Sequence, residues 1–466
     1  MDMNTIDAKI FKAYDIRGIY PSQINEEIMS RIAHAAYTFF SQKVGKEKFT
    51  IAVGHDMRES APTITKAVIE TLVSLGADVI DVGLVSTPTF YFAVSHYNYD
   101  CGIQITASHN PKEYNGMKFV MNTPTGMLKI GGSTGMKDIA HFSTDETVEL
   151  APQKAGGMVT EKTNILEDEV TNALNILDNP KLKHFKIVAD PANAMGATYI
   201  EALSKRLDID LVKLYFELDG SFPNHPADPF DFENLKDLRQ RVIDEHADFG
   251  IGTDGDGDRL FFVDEKGNVI PATIITALIS RELLKENPGA TILFDIRYIY
   301  TPSKIVEENG GKYEVTRVGH AFITEKLKET GGIFAGESSA HYFYKATGNA
   351  ESQLPTIISV LKVLTEEGKK LSEVVEELRR SYESGEVNFK VTNAQEILDG
   401  LKEKYNDGEL VTLDGISINY PNWRFNVRTS NTEPLLRLNV ESFDQKEMQE
   451  KQDELLAFIN EHAKTE

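Results

Sequence analysis

Apolar and polar positions along the chain repeat one pattern three times. The segments IAVGHDMRESAPTITKAVIETLVSLGADVIDVG from Ile51, IVADPANAMGATYIEALSKRLDIDLVKLY from Ile187 and ILFDIRYIYTPSKIVEENGGKYEVTRVGH from Ile292 each read strand, aspartate, loop, helix, strand. Short β-branched runs ending on Asp56, Asp190 and Asp295 have the character of buried parallel strands. In the first copy Ile64, Val68, Leu72 and Leu75 fall at i, i+4, i+8 and i+11, with Pro62 near the start, which predicts a helix packed on a sheet. In the third copy Pro302 and Ser303 are expected to open a weaker helix. The aspartates stand 134 and 105 residues apart, too far and too unevenly for a solenoid, so the pattern predicts three diverged copies of one α/β domain.

Each copy continues into a strand, a polar loop and a second strand: CGIQITASHNPKEYNGMKFVM, ADFGIGTDGDGDRLFFVD and GGIFAGESSAHYFYKA. Loops at matching ends of related sheets can face a shared cleft, so the repeat predicts that the three polar loops build one site. After about Lys370 the pattern changes to a charged helical stretch, LSEVVEELRRSYESG, then the apolar runs VTLDGISINY and RFNVRTSNTEPLLRLNVES and a final polar helix, QKEMQEKQDELLAFINEHA. The expected fold is therefore α/β: three related domains with mixed sheets and a smaller C-terminal α+β domain around a central cleft. Pro152 to Gly157 reads as a linker. The expected boundaries are 1–152, 153–257, 258–370 and 371–466.

A length of 466 residues accommodates such a set of domains, and 41% hydrophobic with 26% charged residues is globular composition. Lys plus Arg number 49 against 72 Asp plus Glu, a net charge of −23 that repels nucleic acid and anionic lipid. Any anionic substrate must be met by cations gathered locally against that field. Cys101 is the single cysteine, which excludes an intramolecular disulfide and a zinc cluster and points to a reducing cytoplasm. The opening MDMNTIDAKIFKAYDIRG lacks a signal-peptide core, and no stretch reaches the ~18 apolar residues of a membrane span.

The loop GTDGDGDRL alternates Asp254, Asp256 and Asp258 with glycines, so the backbone can curl and aim three carboxylates at one hard cation such as Mg²⁺. An EF-hand fits less well, although Glu265 falls at its twelfth position: Arg259 occupies the obligatory glycine position and the following LFFVDEKGNVI reads as strands. GIGTDG matches a dinucleotide fingerprint, but no helix follows it.

TASHNPKEYNGMK sets Ser108 beside His109, with Lys118 further on. A serine needs a base, a metal or an attached transferable group before it does covalent chemistry, and neighbours on an extended strand point to opposite faces. Ser133 in GGSTG matches a nucleophile-elbow string with no clear strand-to-helix context, and Cys101 reads as a core residue. In GESSAHYF, Glu337, Ser339 and His341 would share one face of an extended segment, a set suited to vicinal sugar hydroxyls. RTSNTEP offers Arg428 with hydroxyl and amide side chains in a turn, which suits a dianionic phosphate.

FKAYDIRG at Phe11 to Gly18, TASHNP, DGDGDR, GESSAH and WRFNVRTSNTEPLLRLNVES occur in order over nearly the whole chain. Together they resemble the α-D-phosphohexomutase family, on its bacterial phosphomannomutase side. The resemblance implies a heart-shaped, four-domain enzyme in which Ser108 carries the phosphoryl group. Asp254, Asp256 and Asp258 would hold Mg²⁺ together with a phosphoserine oxygen on Ser108, with Arg259 beside them. Glu337 and Ser339 would bind the sugar with His341 close by. Arg428, Ser430, Asn431 and Thr432 would take the distal phosphate, and Tyr14, Arg17, Lys118 and His320 would line the same cleft.

The implied reaction interconverts mannose 6-phosphate and mannose 1-phosphate through a hexose 1,6-bisphosphate, which would also serve as activator. Lys118, His109 and His341 are the candidate acid/base groups, with Arg17 assisting electrostatically. Tyr14 disfavours an amino-sugar substrate, while Ala340 stands where many members of the family carry glycine. Dual phosphoglucomutase activity, a metal-dependent sugar-phosphate phosphatase and a silent sugar-phosphate binder are the alternatives. The expected partners are small sugar phosphates, with neither nucleic acid nor membrane, on a monomer or weak homo-oligomer.

Overall fold

The computed structural model describes residues 6–145, 147–429 and 435–464. The chain divides into two compact units: everything up to Ile270 with Ser339–Glu373, and Pro271–Ser338 with Val374 onward.

The first unit contains two mixed sheets. In one, Thr50–His55 lies between parallel neighbours Asp78–Leu84 and Cys101–Ile105, and Tyr114–Thr123 runs antiparallel on the far side of Cys101–Ile105. The strands form where β-branched and aromatic residues run together, and Ile51, Val53, Cys101, Ile103, Ile105 and Phe119 are all buried in one core. The helix Ala61–Ser74 buries Ile64, Val68 and Leu72 on this sheet, with proline in its first turn. In the second sheet Phe185–Asp190 is flanked in parallel by Ile209–Lys213 and Phe249–Thr253, and Leu260–Asp264 returns antiparallel to Phe249–Thr253.

In the second unit Thr291–Asp295 lies between parallel Lys312–Thr316 and Phe334–Gly336. The C-terminal part is a sheet of six described strands, order Tyr382–Glu383, Leu436–Ser442, Trp423–Thr429, Ile416–Asn419, Glu409–Val411, with Val387–Phe389 also pairing Leu436–Ser442. Helices Ala394–Lys404 and Gln445–His462 cover a core containing Trp423, Phe425, Val427, Leu438 and Leu455.

The threefold repeat is present down to one hydrogen bond. Asp56, Asp190 and Asp295 each accept the amide of the residue two positions on, Arg58 at 3.0 Å, Ala192 at 3.0 Å and Arg297 at 2.9 Å. This Asx turn carries the chain from strand end to helix each time.

Three expectations are corrected. The third-copy helix spans Tyr300–Glu308, so it opens two residues before Pro302, whose missing amide costs nothing within the first turn. The buried carboxylate of Glu441 caps that end, accepting the amides of Ile299 at 2.9 Å and Tyr300 at 2.8 Å. After the coil at 152–157, Met158–Glu161 joins the first sheet as a parallel edge strand beside Asp78–Leu84. Its residues are exposed, so no burial pattern announced it. The third correction concerns Ser133: strand Gly126–Lys129 and helix Met136–Thr144 do flank it, but it is exposed on the turn between them. Among the described residues, no helix is long and apolar enough to cross a membrane.

Candidate active site

Ser108 lies on the loop between Cys101–Ile105 and Tyr114–Thr123, with its amide bonded to Thr106 Oγ1 at 2.9 Å. Its φ of 50° is left-handed, a conformation that costs a serine about 1 kcal/mol or more. That twist overturns the expectation that Ser108 and His109 face apart, because the segment is not extended: Ser108 Oγ stands 3.2 Å from His109 Nδ1. The loop is held from behind by Arg58, 1% exposed, whose guanidinium donates to the carbonyls of Ser108, Asn110, Pro111 and Tyr114 at 2.7–2.9 Å. Arg17 Nε donates to Asp15 Oδ2 at 2.9 Å, and its Nη1 bonds Asn110 Oδ1 at the loop's outer side.

The aspartate loop follows Phe249–Thr253 in the neighbouring sheet. A Cβ on Gly255 would sit 2.3 Å from the Ser108 carbonyl oxygen, so only glycine lets the two loops touch. Asp254 Oδ2 accepts from Ser108 Oγ at 3.1 Å. Asp256 Oδ2 accepts from Lys118 Nζ and Thr87 Oγ1, both at 2.6 Å. Asp258 Oδ2 accepts from Lys118 Nζ at 2.6 Å, while its Oδ1 lies 3.1 Å from His341 Nε2. Ser339 Oγ is 3.0 Å from His341 Nδ1, and Arg259 pairs with Asp228 at 3.3 Å and more loosely with Asp254 at 3.8 Å. The first unit thus gathers Arg17, Ser108, His109, Lys118, the three aspartates, Arg259, Ser339 and His341. Tyr14 is half-buried on the segment leading into Ile16–Ile19.

Burial opposes the Lys118 charge, but Asp256 and then Asp258 outweigh it and hold the ammonium well above its ordinary pKa. Asp258 is likewise driven down by Lys118 and His341 against its own burial. Burial, followed by the charges of Asp258 and Asp256, raises Asp254. Burial, then Arg259 and Arg17, pushes His109 well below its ordinary value, toward neutral imidazole.

One carboxylate oxygen from each of Asp254, Asp256 and Asp258 can lie within 4.8 Å of the others, and all three residues are buried. Asp256 Oδ1 is buried with no hydrogen-bond partner among the described residues. An all-oxygen set with an orphaned buried carboxylate oxygen fits a hard divalent cation such as Mg²⁺. Glu265 takes no part: its carboxylate accepts the Ser372 amide and hydroxyl at 3.2 and 2.6 Å.

Glu337, Ser339 and His341 do not share an extended face. Residues 337–341 form a turn with Ala340 at φ 66°, and Glu337 belongs to the other unit. There Glu337 Oε1 accepts the amide of Gly319 at 2.9 Å, beside half-buried His320, and lies 3.5 Å from Arg297 Nη2. Arg297 is clamped by Asp295 at 2.8 and 3.0 Å and reaches Glu386 at 3.9 Å, and Glu386 Oε2 accepts from Arg428 Nη2 at 2.9 Å. Glu337 and Arg428 therefore belong to one buried network through Arg297 and Glu386, and His320 follows in the chain the Gly319 amide that Glu337 accepts. Ser430, Asn431 and Thr432 lie outside the described residues.

Sequence reasoning missed Arg58, Thr87, Arg297 and Glu386. Arg58 and Arg297 had a signal: both stand two residues after the repeated aspartate.

Models of the phosphoglucomutase/phosphomannomutase family match in four pieces: alpha/beta/alpha domain I at residues 8–129, domain II at 167–267, domain III at 271–382 and the C-terminal domain at 360–458. A phosphomannomutase of Methanocaldococcus jannaschii is 38% identical over 458 residues, covering 97% of this chain and 98% of that one. A phosphomannomutase of Escherichia coli is 35% identical over 460 residues, covering 96% and 98%. A solved phosphoglucomutase/phosphomannomutase family protein from Burkholderia thailandensis superposes with a TM-score of 0.87 at 30% identity, covering 99% of each chain.

Proposed function

Because the chain belongs to the phosphoglucomutase/phosphomannomutase family and is a phosphohexomutase of the isomerase class, we propose that it interconverts mannose 6-phosphate and mannose 1-phosphate through a phosphoserine on Ser108. The observation carrying this reading is the contact of Ser108 Oγ with Asp254 inside a buried cluster of three aspartates and Lys118. The preference for mannose is supported by the phosphomannomutase relatives from two distant organisms.

The P–Oγ bond of phosphoserine breaks as a P–O bond forms to the free sugar hydroxyl, giving a hexose 1,6-bisphosphate. The hydroxyl proton ends on Ser108 Oγ. The bisphosphate, which also restores phosphate to an unmodified Ser108, then returns its other phosphoryl group, and the proton moves back. His109 Nδ1, 3.2 Å from Ser108 Oγ, is the ring nitrogen in reach of that oxygen. Lys118 and Arg259 offset charge on the phosphoryl oxygens, and Arg17 steadies the Ser108 loop through Asn110. Asp254, Asp256 and Asp258, with a phosphoserine oxygen, would hold Mg²⁺. When bound, that ion supplies Lewis-acid stabilisation of the phosphoryl charge. Tyr14, His320, Glu337, Ser339 and His341 are assigned to the sugar, and Arg428, Ser430, Asn431 and Thr432 to the distal phosphate.

Sugar phosphates are the proposed partners, with the net charge of −23 disfavouring nucleic acid and anionic lipid. Mass spectrometry of the Ser108 peptide, with kinetics on mannose and glucose 1-phosphates and assay of inorganic phosphate, tests the reading. A phosphorylated Ser108, formation of mannose 6-phosphate and almost no free phosphate are expected. Stoichiometric phosphate release would make the protein a phosphatase, and equal turnover of both sugars a dual-specificity mutase.

A further inference from the structure

Lys129 and Glu351 have no part in the motif-based assignment, yet they form an ion pair with side chains only 3% and 0% exposed. The Lys129 ammonium lies 4.5 Å from the centre of the Tyr91 ring and 5.0 Å from that of Phe343. Lys129 ends strand Gly126–Lys129 and stands opposite Val120 of Tyr114–Thr123. Alternate residues of a strand share a face, and so do cross-strand partners, so Lys118, Val120 and Lys129 point the same way. Glu351 belongs to a short hairpin in which it pairs with Phe343, and Ala350 with Tyr344. His341 directly precedes that hairpin, and Gln353 begins the helix Gln353–Glu367 just after it.

These two strand pairs deliver three side chains to Asp258. Lys118 Nζ reaches Oδ2 at 2.6 Å, His341 Nε2 lies 3.1 Å from Oδ1, and Gln353 Nε2 donates to the backbone carbonyl. Away from Asp258 the pairs are tied again: the Met127 amide donates to the Gly348 carbonyl at 2.8 Å, and Asn349 Nδ2 to the Thr125 carbonyl at 3.0 Å. Stability alone does not explain an ion pair between them. Burial lowers the Lys129 pKa against the opposing pull of Glu351. Apolar residues of similar volume in place of a buried ion pair are commonly neutral or stabilising. What the charged pair adds is a fixed direction and separation.

We propose that Lys129 and Glu351 are positioning residues: their ion pair sets the spacing between the Lys118 strand and the hairpin flanked by His341 and Gln353, so that all three side chains meet on Asp258. This rests on the reading in which Asp258 serves phosphoryl transfer. Neither residue touches the reacting atoms. They act through Asp258, whose carboxylate is aimed only while its partners arrive together.

The double variant Lys129→Met/Glu351→Leu separates positioning from stability, because it fills the same space without a charge to bury. It should unfold in urea at or above the wild-type midpoint. Its kcat with mannose 1-phosphate should nevertheless fall about tenfold, and Mg²⁺, titrated through the rise in Tm, should bind about tenfold more weakly. Glu351→Gln keeps the side-chain shape and should lie between the two in both readouts. Wild-type Mg²⁺ affinity and kcat in the double variant would overturn the proposal, as would lowered stability with both of these intact. Should the double variant not fold, wild-type Mg²⁺ affinity and kcat in Glu351→Gln would overturn it instead. A wild type that turns over no hexose phosphate, while Mg²⁺ still binds more weakly to the variants, would sink the mutase reading and leave the positioning of Asp258 standing.

Discussion

Arg58 Nη2 donates to the carbonyl oxygen of Ser108 at 2.8 Å, across 50 residues of sequence. The same guanidinium reaches three further carbonyls of the loop, its charge faces Asp56 at 3.3 Å, and the Phe222 ring packs 5.4 Å from it. A lysine ammonium cannot copy a planar fork that serves four acceptors. Arg58→Lys should therefore lose about 3 kcal/mol of stability in urea denaturation. At a temperature where the variant is folded, mutase kcat should fall about 100-fold, because the loop that aims Ser108 is no longer fixed. Unchanged kcat would show that the loop holds its shape without Arg58.

The hydroxyl of Ser108 and its backbone strain can be tested separately. Ser108→Ala should stay within about 1 kcal/mol of wild-type stability, since the hydroxyl makes ordinary hydrogen bonds to Asp254 and His109. Ser108→Gly should relieve the φ of 50°. Neither variant should retain a phosphorylated peptide, and both should lose several orders of magnitude in turnover. Activity in the glycine variant would mean the phosphoryl group rides elsewhere.

The Asp256 carboxylate divides its two oxygens: Oδ2 takes Lys118 and Thr87, while Oδ1 is left for a cation. Mg²⁺ at about 100 times its dissociation constant should stabilise the wild type by about 2.7 kcal/mol. Asp256→Ala should show no such shift, and chelation should stop turnover. Thr87→Val, which removes only the hydroxyl that orients the ligand, should weaken Mg²⁺ about 10-fold in a Tm titration.

Much of this arrangement is legible in the sequence because it rests on local rules. The aspartates closing three apolar strands announce the repeat, and glycines alternating with Asp254, Asp256 and Asp258 announce a curled ligand loop. What escaped depends on contacts between distant segments. Thr87 heads the helix Thr87–His96 and looks like an ordinary first-turn residue until Asp256, 169 positions away, is set beside it. The left-handed turn at Ser108 is equally invisible, since serine rarely adopts it and Arg58 and Gly255 together impose it. Glu386 reads as one acid among 72 Asp and Glu residues until three arginines surround it.

Glu169 adds a pH dependence from outside the candidate site. It lies on helix Ile165–Ile176, 2% exposed, with its carboxylate accepting from Thr89 Oγ1 at 2.7 Å. Burial raises its pKa to about 7 from an ordinary value of 4.5, against a smaller lowering by Thr89. The folded state therefore holds a proton that the unfolded chain has released. The stabilisation is fully present below about pH 4.5 and drains away as pH rises through about 7. Glu169→Gln keeps an acceptor for Thr89 without a charge to bury. Relative to that variant, the wild type should lose up to about 3 kcal/mol between pH 5 and 8, measured by urea denaturation at one-unit steps. A constant difference across that range would show that Glu169 titrates as a solvated carboxylate.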